Sequence, residues 1–424
     1  RVKPNQFVRE EPYIERAISS TRAAYGLDNI EEKAFNYSPS LDVEKVTNNL
    51  ETINNVRLWD HRPLRDTYGQ IQTFRQYYNF VGVDVDRYRF SNGDFRQVML
   101  SARELFPEQL EGDAQNWVNR KLSYTHGFGV AMSPVNRATV EGRPEFFLKD
   151  LPPQGNLTVS RPEIYYGENT TGFVIVNTNT DEFNYPKPEG APVYSRYDGD
   201  GGIGIGSFNR RLAFAVRFLD FNLLISGQIN SESRIQFNRE IKDRVGRIAP
   251  FLQLDSDPYL VVEDNKGLWW IQDAYVSTNR YAYSDVTKGN DGQPDFNYIR
   301  NSVKVIVNAY DGSVFFFAID PSEPLTQIYM KAFPQLFINS DDVDKMSPIL
   351  RDHIRYPEDL FFAQSNIYLR YHMTDPQQFF AREDLWGIPR EVISTPTNTQ
   401  DVEPYYVIMK LPGEEKEEFV LLIP

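Results

Sequence analysis

The stretch Val303-Lys-Val-Ile-Val-Asn-Ala-Tyr-Asp-Gly-Ser-Val-Phe-Phe-Phe317 holds two runs of β-branched and aromatic residues around Asp311-Gly312. An Asp-Gly pair accepts the backbone angles of a tight turn, so the stretch reads as two antiparallel strands. A helical stretch, Leu325 to Phe333, follows it. The same unit recurs along the chain. Tyr259 to Val262 and Leu268 to Ile271 flank Asn265-Lys-Gly267. Ile164-Tyr-Tyr and Phe173-Val-Ile-Val flank a polar turn, and Tyr405 to Met409 with Phe419 to Ile423 form a last pair. Helical stretches at Ser233 to Val245 and Glu358 to Met373 lie between them. Hairpins interleaved with helices predict an α+β fold rather than a parallel sheet.

The N-terminal part reads differently. Ile14, Ile18, Thr21 and Tyr25 share one helical face, and Gly26 is a stop signal. A second helical run carries Val43, Val46, Leu50, Ile53 and Val56. A third, after Pro63, carries Leu64, Tyr68, Ile71, Phe74 and Tyr78. Together they predict a packed helical layer. Asp84-Val-Asp-Arg-Tyr-Arg-Phe then alternates as a strand does, and Ala114, Trp117, Val118 and Leu122 suggest a short helix. Glycine and proline crowd residues 125 to 160. This places a soft boundary between a helix-rich region, 1–150, and a mixed α+β region, 151–424. Residue 1 is Arg and the chain stops at Pro424 directly after an apolar strand, so the expectation is an excised fragment completed by further C-terminal sequence.

Composition narrows the function. Apolar residues make up 41% and charged residues 25% of the chain, which is ordinary for a globular protein. Net charge is −14, which argues against a nucleic-acid binder and against electrostatic docking on an anionic leaflet. There is no cysteine, so disulfides, thiolate nucleophiles and cysteine-ligated zinc are excluded. No run of about 18 apolar residues occurs. The longest apolar patch, Leu212 to Ile225, is interrupted by Arg217, Asp220 and Asn222.

Several blocks carry a family resemblance. They include Glu11-Pro-Tyr-Ile-Glu, Thr21-Arg-Ala-Ala-Tyr-Gly-Leu, Trp59-Asp-His-Arg-Pro-Leu and Val83-Asp-Val-Asp-Arg-Tyr. Further on come Tyr124-Thr-His-Gly-Phe-Gly-Val, Asn297-Tyr-Ile-Arg-Asn-Ser-Val, and Arg355-Tyr-Pro-Glu-Asp-Leu-Phe-Phe-Ala-Gln with Tyr371-His-Met-Thr-Asp-Pro. In this order, almost end to end, they resemble uncharacterised protein family 0182. The resemblance implies bacterial multi-pass membrane proteins with a long extracytoplasmic region, of which this chain would be the central part. It implies a location at the cell membrane on the extracytoplasmic side. It transfers no catalytic or binding residue.

Candidate chemistry is sparse. No two of His61, His126, His353 and His372 stand at i, i+4 spacing, so no zinc-binding helix face exists. His126, in the Gly-rich loop Thr125-His-Gly-Phe-Gly, is the candidate for catalysis; the plainer reading is a hydrogen-bonded loop histidine. The loop Tyr197-Asp-Gly-Asp-Gly-Gly-Ile-Gly-Ile-Gly offers Asp198 and Asp200 to a Ca²⁺ ion, with Asp291 and Asp295 as a second acidic pair. Alternatively, its glycine amides with Arg210 and Arg211 would cradle an anionic ligand. A linker loop is the plainer reading. No full calcium loop, P-loop or G-x-S-x-G occurs, and no cofactor is predicted. Glu358-Asp359 reads as a pair of helix-start acids and Asp255 with Asp257 as turn chemistry. Trp269-Trp270 would face opposite sides of a strand, one ring in the core and one free as a platform.

The functional expectation is a non-enzymatic envelope domain that binds a partner protein or a ligand. The alternatives are an envelope hydrolase acting on a glycan or lipid through His126 and a carboxylate, and a solute-capture domain of a transporter.

Overall fold

The computed structural model describes residues 5–34, 40, 42–91, 93–187, 190–289, 292–339, 346–392 and 398–424. The fold is α+β, with helices and antiparallel sheets mixed. Two six-stranded sheets dominate. The first is centred on Phe95–Leu105, flanked by Tyr78–Phe80, Asp84–Arg89 and Val130–Pro134. The second is centred on Leu268–Thr278 and Tyr298–Asn308.

Side-chain alternation decides how the sheets pack. In the first sheet Tyr88, Val98, Leu100, Ala102, Val130 and Met132 point to one face. In the second sheet Leu268, Trp270, Ala274, Val303, Val305 and Val307 do the same, and the two faces share one core. That core draws residues from both sides of position 150. The opposite face of the first sheet, with Met99 and Ala131, receives Leu64 and Tyr68 of the helix His61–Gln72. The opposite face of the second, with Tyr259, Val261, Ile271 and Ile306, receives Met346 and Leu350. The arrangement is therefore sheet on sheet, with helical segments on the outer faces.

The hairpin that decided the reading forms as expected. Val303 pairs with Ala318 and Val307 with Val314, and Gly312 turns with φ +72°. A Cβ on Gly312 would stand 2.3 Å from Cζ of the Tyr166 ring, so only glycine fits there. The following helix, Pro324–Ala332, is capped by Glu323, which accepts from Leu325 N (3.0 Å) and Thr326 N (2.5 Å). It leads to Phe337–Asn339, which lies parallel to Val314–Ala318, so one parallel crossover completes an otherwise antiparallel sheet.

Other segments depart from expectation. Val174–Val176 pairs with Arg234–Gln236 instead of with Glu163–Ile164, which pairs with Gly127–Phe128. The run from Ser233 therefore begins as a strand, and its helix starts only at Ile241. The second N-terminal run breaks into Val43–Thr47 and Leu50–Ile53, with Val43 and Val56 exposed. Ala114 to Leu122 forms a 3₁₀ turn and then a wide π-turn, Asn119–Ser123. The first helix, Gln6–Tyr25, ends at Gly26 in the left-handed conformation. Its buried face meets Leu360, Ala363, Ile367 and Tyr371 of the helix Glu358–Tyr371.

Candidate functional site

Of the candidate residues from the sequence, His126 and the loop that carries Asp198 are joined through Glu182, Tyr165 and Tyr310, and Asp295 and the tryptophans stand apart from them. His126 is buried, sharing hydrogen bonds with Thr125 Oγ1 (2.9 Å) and Asn184 Oδ1 (3.1 Å). Glu182 behind it accepts from Thr125 (2.5 Å) and Tyr165 (2.8 Å). Both ring nitrogens are engaged, and the histidine packs on Tyr165 as part of a closed polar cluster. His126→Ala is expected to cost about 2–4 kcal/mol, because it leaves a cavity and orphans Asn184. Urea unfolding checks this, and a loss of less than about 1 kcal/mol would contradict it.

Asp198 pairs with Arg161 (2.5 Å) and accepts from Tyr310 (2.5 Å), which holds its carboxyl below the usual range. The backbone carbonyl of Asp200, with those of Gly201 and Gly202, accepts from Arg234. Arg210 donates to Gly204 O and Arg211 to Ile205 O and Ile229 O. These side chains and carbonyls lace the Gly-rich loop to its surroundings. Asp295 accepts from Gly289 N (3.3 Å), while Asp291 lies outside the described residues. Among the described residues, no group of three or more His, Asp or Glu is arranged to hold a metal ion. Trp270 is buried, and Trp269 is partly buried with its Nε1 donating to Glu263 (2.9 Å), so neither ring is a free platform.

A different set of residues converges. A cleft of about 330 Å³ opens between the start of the strand Asp84–Arg89, the turn before Tyr259, the N-terminus of the helix Glu358–Tyr371 and the hairpin around Tyr405. Asp84, Asp257, Glu358, Asp359 and Glu403 bring carboxyls to it, and Arg355 brings the innermost cation. Local physics places each of them. Asp84, Asp86 and Tyr88 alternate onto the face that meets the second sheet. Asp84 accepts from Leu260 N (2.9 Å) and the Tyr88 hydroxyl accepts from Val262 N (2.9 Å), so these side chains satisfy the free edge of the strand Tyr259–Val262. Asp86 is paired with His353 (2.6 Å) and Arg87 (3.1 Å), and this holds it below the usual carboxylate range.

Arg355 is buried between rings, 3.9 Å from the Tyr259 centroid and 4.6 Å from that of Tyr406. It donates to Val85 O (2.7 Å) and stands 3.8 Å from Asp257. Asp255 accepts from Asp359 N (3.2 Å), Asp257 N (3.1 Å) and the Tyr275 hydroxyl. Asp359 in turn accepts from Ser256 N (2.7 Å) and Ser256 Oγ (3.0 Å). Acid side chains from two segments thus tie the helix start to the strand edge, where its dipole favours negative charge.

Arg57, Arg62 and Arg355 with His61 face seven carboxyls in this cleft, Asp60 and Glu391 included, so acids outnumber bases. Burial raises Asp84 well above its ordinary value, and the charge of Asp257 adds to the effect. Burial also raises Asp255, with Asp359 and Asp273 repelling it, and Glu168, with Asp84 and Asp257 repelling it. Glu358 is pushed up to about 7 by burial, with Arg355 opposing and Asp257 and Asp359 repelling. Asp257 is raised too, by its dry surroundings, but its side chain is half exposed at the mouth and the effect there is weaker. At the rim of the same cleft, Arg62 forks onto Asp60 (2.9 Å twice) and stands 3.8 Å from Glu391, His61 stands 3.9 Å from Asp60, and Arg57 lies over the Tyr405 ring.

The family model for the uncharacterised protein family UPF0182 matches residues 1–424. The chain belongs to this family. UPF0182 proteins of Pelotomaculum thermopropionicum, Trichodesmium erythraeum and Methanospirillum hungatei are 50%, 45% and 47% identical to it, each over the whole chain. These alignments cover 45%, 47% and 46% of the relatives, so the chain spans about half the length of the curated relatives it matches. No solved structure matches it. No helix among the described residues of this UPF0182 chain is long and apolar enough to cross a membrane.

A second, larger cavity of about 750 Å³ lies beside Tyr356, Phe361, Tyr368, Trp386 and Phe419. It is mainly apolar and lacks convergent ionisable groups. The acidic cleft is therefore the candidate site of the UPF0182 chain, since perturbed carboxyls facing one cleft mark functional positions more specifically than apolar volume does. Sequence reading missed it because Asp84, Asp257 and Glu358 come from three distant segments, each of which has a local explanation. One signal was legible: two carboxylates, Asp84 and Asp86, on the same face of a strand as Tyr88.

Proposed function

We propose that this chain is a ligand-binding domain on the extracytoplasmic side of a bacterial membrane protein, and that its ligand places an ammonium group in the acidic cleft. The observation that carries the reading is the cleft itself, with Asp84, Asp257 and Glu358 raised in proton affinity around the single buried Arg355. Burial raises these carboxyls first and their mutual repulsion adds to it, with Arg355 opposing; an ammonium group hydrogen-bonded among them would offset both. The membrane context draws on the family resemblance. In this reading the membrane-spanning part lies in the half of the relatives that the chain does not cover. A solute-capture role for a transporter would use the same cleft.

Calorimetric titration with putrescine near pH 6.5 tests the proposal, run in two buffers of different ionisation enthalpy. Binding heats should differ between the buffers because protons leave Glu358 and its neighbours, and Glu358→Gln should reduce the difference and weaken binding by roughly tenfold or more. No heat with any simple amine, or binding indifferent to Glu358→Gln and Asp84→Asn, would overturn it.

A hydrolase is the second reading. It is favoured by Glu358, which at about 7 is poised to donate a proton at neutral pH next to other carboxylates. It does not involve His126, which lies outside this cleft. Turnover of a glycan or ester substrate that Glu358→Gln abolishes would support it; turnover unchanged in that variant would remove it.

A further inference from the structure

The acidic cleft sorts its charges by wall. Asp84, Asp257, Glu358 and Asp359 come from the strand Asp84–Arg89, the turn before Tyr259 and the start of the helix Glu358–Tyr371. Three bases, Arg57, His61 and Arg62, come from one short segment at the rim. The backbone of that segment is pinned just past the strand Val130–Pro134, since Leu58 N (2.8 Å) and Trp59 N (3.2 Å) both donate to Val135 O. Asp60 then caps the helix His61–Gln72 by accepting from Arg62 N (2.9 Å). Asp60 also answers the two bases beside it, forked by the Arg62 guanidinium and 3.9 Å from His61.

Arg57 is the exception. Its guanidinium lies over the Tyr405 ring, 5.3 Å from the centroid, and no carboxylate or carbonyl among the described residues accepts from it. Arg355, by contrast, donates to Val85 O and stands beside Asp257. The ring covers one face of the Arg57 guanidinium, and the in-plane donors stay unclaimed. A flat fork of donors held in this way takes a carboxylate through two parallel hydrogen bonds. A phosphate would also suit the fork, but it brings more negative charge into a cleft that already gathers seven carboxyls. The charge of Arg57 is felt locally. Burial lowers the proton affinity of His61, and Arg62 and Arg57 lower it further, against Asp60 and Glu403.

We propose that the ligand of this cleft is a zwitterion, an ω-amino acid whose ammonium sits among Asp84, Asp257 and Glu358 and whose carboxylate is held by Arg57. The proposal rests on the amine-binding reading above and narrows it. The two charges meet different walls, so they stand several bonds apart, which favours an ω-amino acid over an α-amino acid. Three ligands of nearly one size test it: butylamine, putrescine with a second ammonium at the far end, and γ-aminobutyrate with a carboxylate there. In calorimetric titrations at about pH 6.5, γ-aminobutyrate should bind roughly tenfold more tightly than butylamine, and putrescine no more tightly than butylamine. In Arg57→Gln, γ-aminobutyrate and butylamine should bind alike, and in Arg57→Lys part of the preference should return. Both ligands are titrated into each variant, so a damaged fold, which weakens both, is told apart from a lost carboxylate contact. Butylamine that binds in a Glu358-dependent way while γ-aminobutyrate binds no better would overturn the zwitterion and leave the amine site standing. No binding of any of the three would remove both. A preference for γ-aminobutyrate that survives Arg57→Gln would overturn the role of Arg57.

Discussion

Lys304→Met is expected to destabilise the protein by about 3–5 kcal/mol, enough to threaten folding of most single domains. Lys304 lies at the centre of Tyr298–Asn308, in register with Asp273 on Leu268–Thr278. Both are buried, and the ammonium contacts the Asp273 carboxylate directly. Removing the lysine leaves an ionised carboxylate inside a sheet with nothing to offset it, and the penalty is that of the stranded charge rather than of the lost contact. Replacing both, as Lys304→Met with Asp273→Leu, should restore most of the stability. Urea unfolding of the three forms checks this. A single variant within about 1 kcal/mol of the parent would show that the interior tolerates the charge. The pair also connects to the cleft, because Lys304 Nζ donates to the backbone carbonyl of Arg355 (2.9 Å). The double variant should therefore regain stability but bind amines less tightly, since the segment that presents Arg355 and Glu358 has lost an anchor.

Stability should fall as pH rises from about 5 to about 8. Asp84, Asp255, Glu168 and Glu358 bind protons more tightly in the fold than in the unfolded chain. Their penalty is absent below the ordinary carboxylate range. It grows through the window that ends near 7 for Glu358 and is complete above it. Asp60, Asp86 and Asp198 are shifted the other way, held down by Arg62, by His353 and Arg87, and by Arg161. Their stabilisation is present above the ordinary range and is lost only in stronger acid. The optimum thus lies near about pH 5. Glu358→Gln should raise stability at about pH 8 by about 1–2 kcal/mol, a figure discounted for its partial exposure, and should flatten the slope. Scanning calorimetry across this range decides it. A Tm that is flat or climbs toward alkaline pH, or a Gln variant that is less stable there, would contradict the account.

How much of this was legible in the sequence depended on distance along the chain. The hairpin at Val303 to Phe317 was readable because its turn, its alternation and its following helix are all local. Gly26 as a helix stop was readable for the same reason. The pairing of Val174–Val176 with Arg234–Gln236 was not, because nothing near either run says which edge it meets. The candidate site illustrates the same limit. His126 stood out because histidine beside glycine is conspicuous, yet its neighbours satisfy it. Glu358 looked like an ordinary helix-start acid. It becomes unusual only when the fold buries it and brings Asp257 and Glu403 to it from distant segments. The apolar patch at Leu212 to Ile225 was visible, but which of its residues face outward depends on the core that fills its other side.

The central claim is that the cleft holds carboxyls in want of a cation. Following the Glu358 side-chain carbon by NMR against pH, with and without putrescine, tests it most directly. The account predicts a midpoint of about 7 in the free chain, falling toward the ordinary 4.5 when the amine is bound. A midpoint already near the ordinary value in the free chain, or one that the amine leaves unmoved, would contradict it.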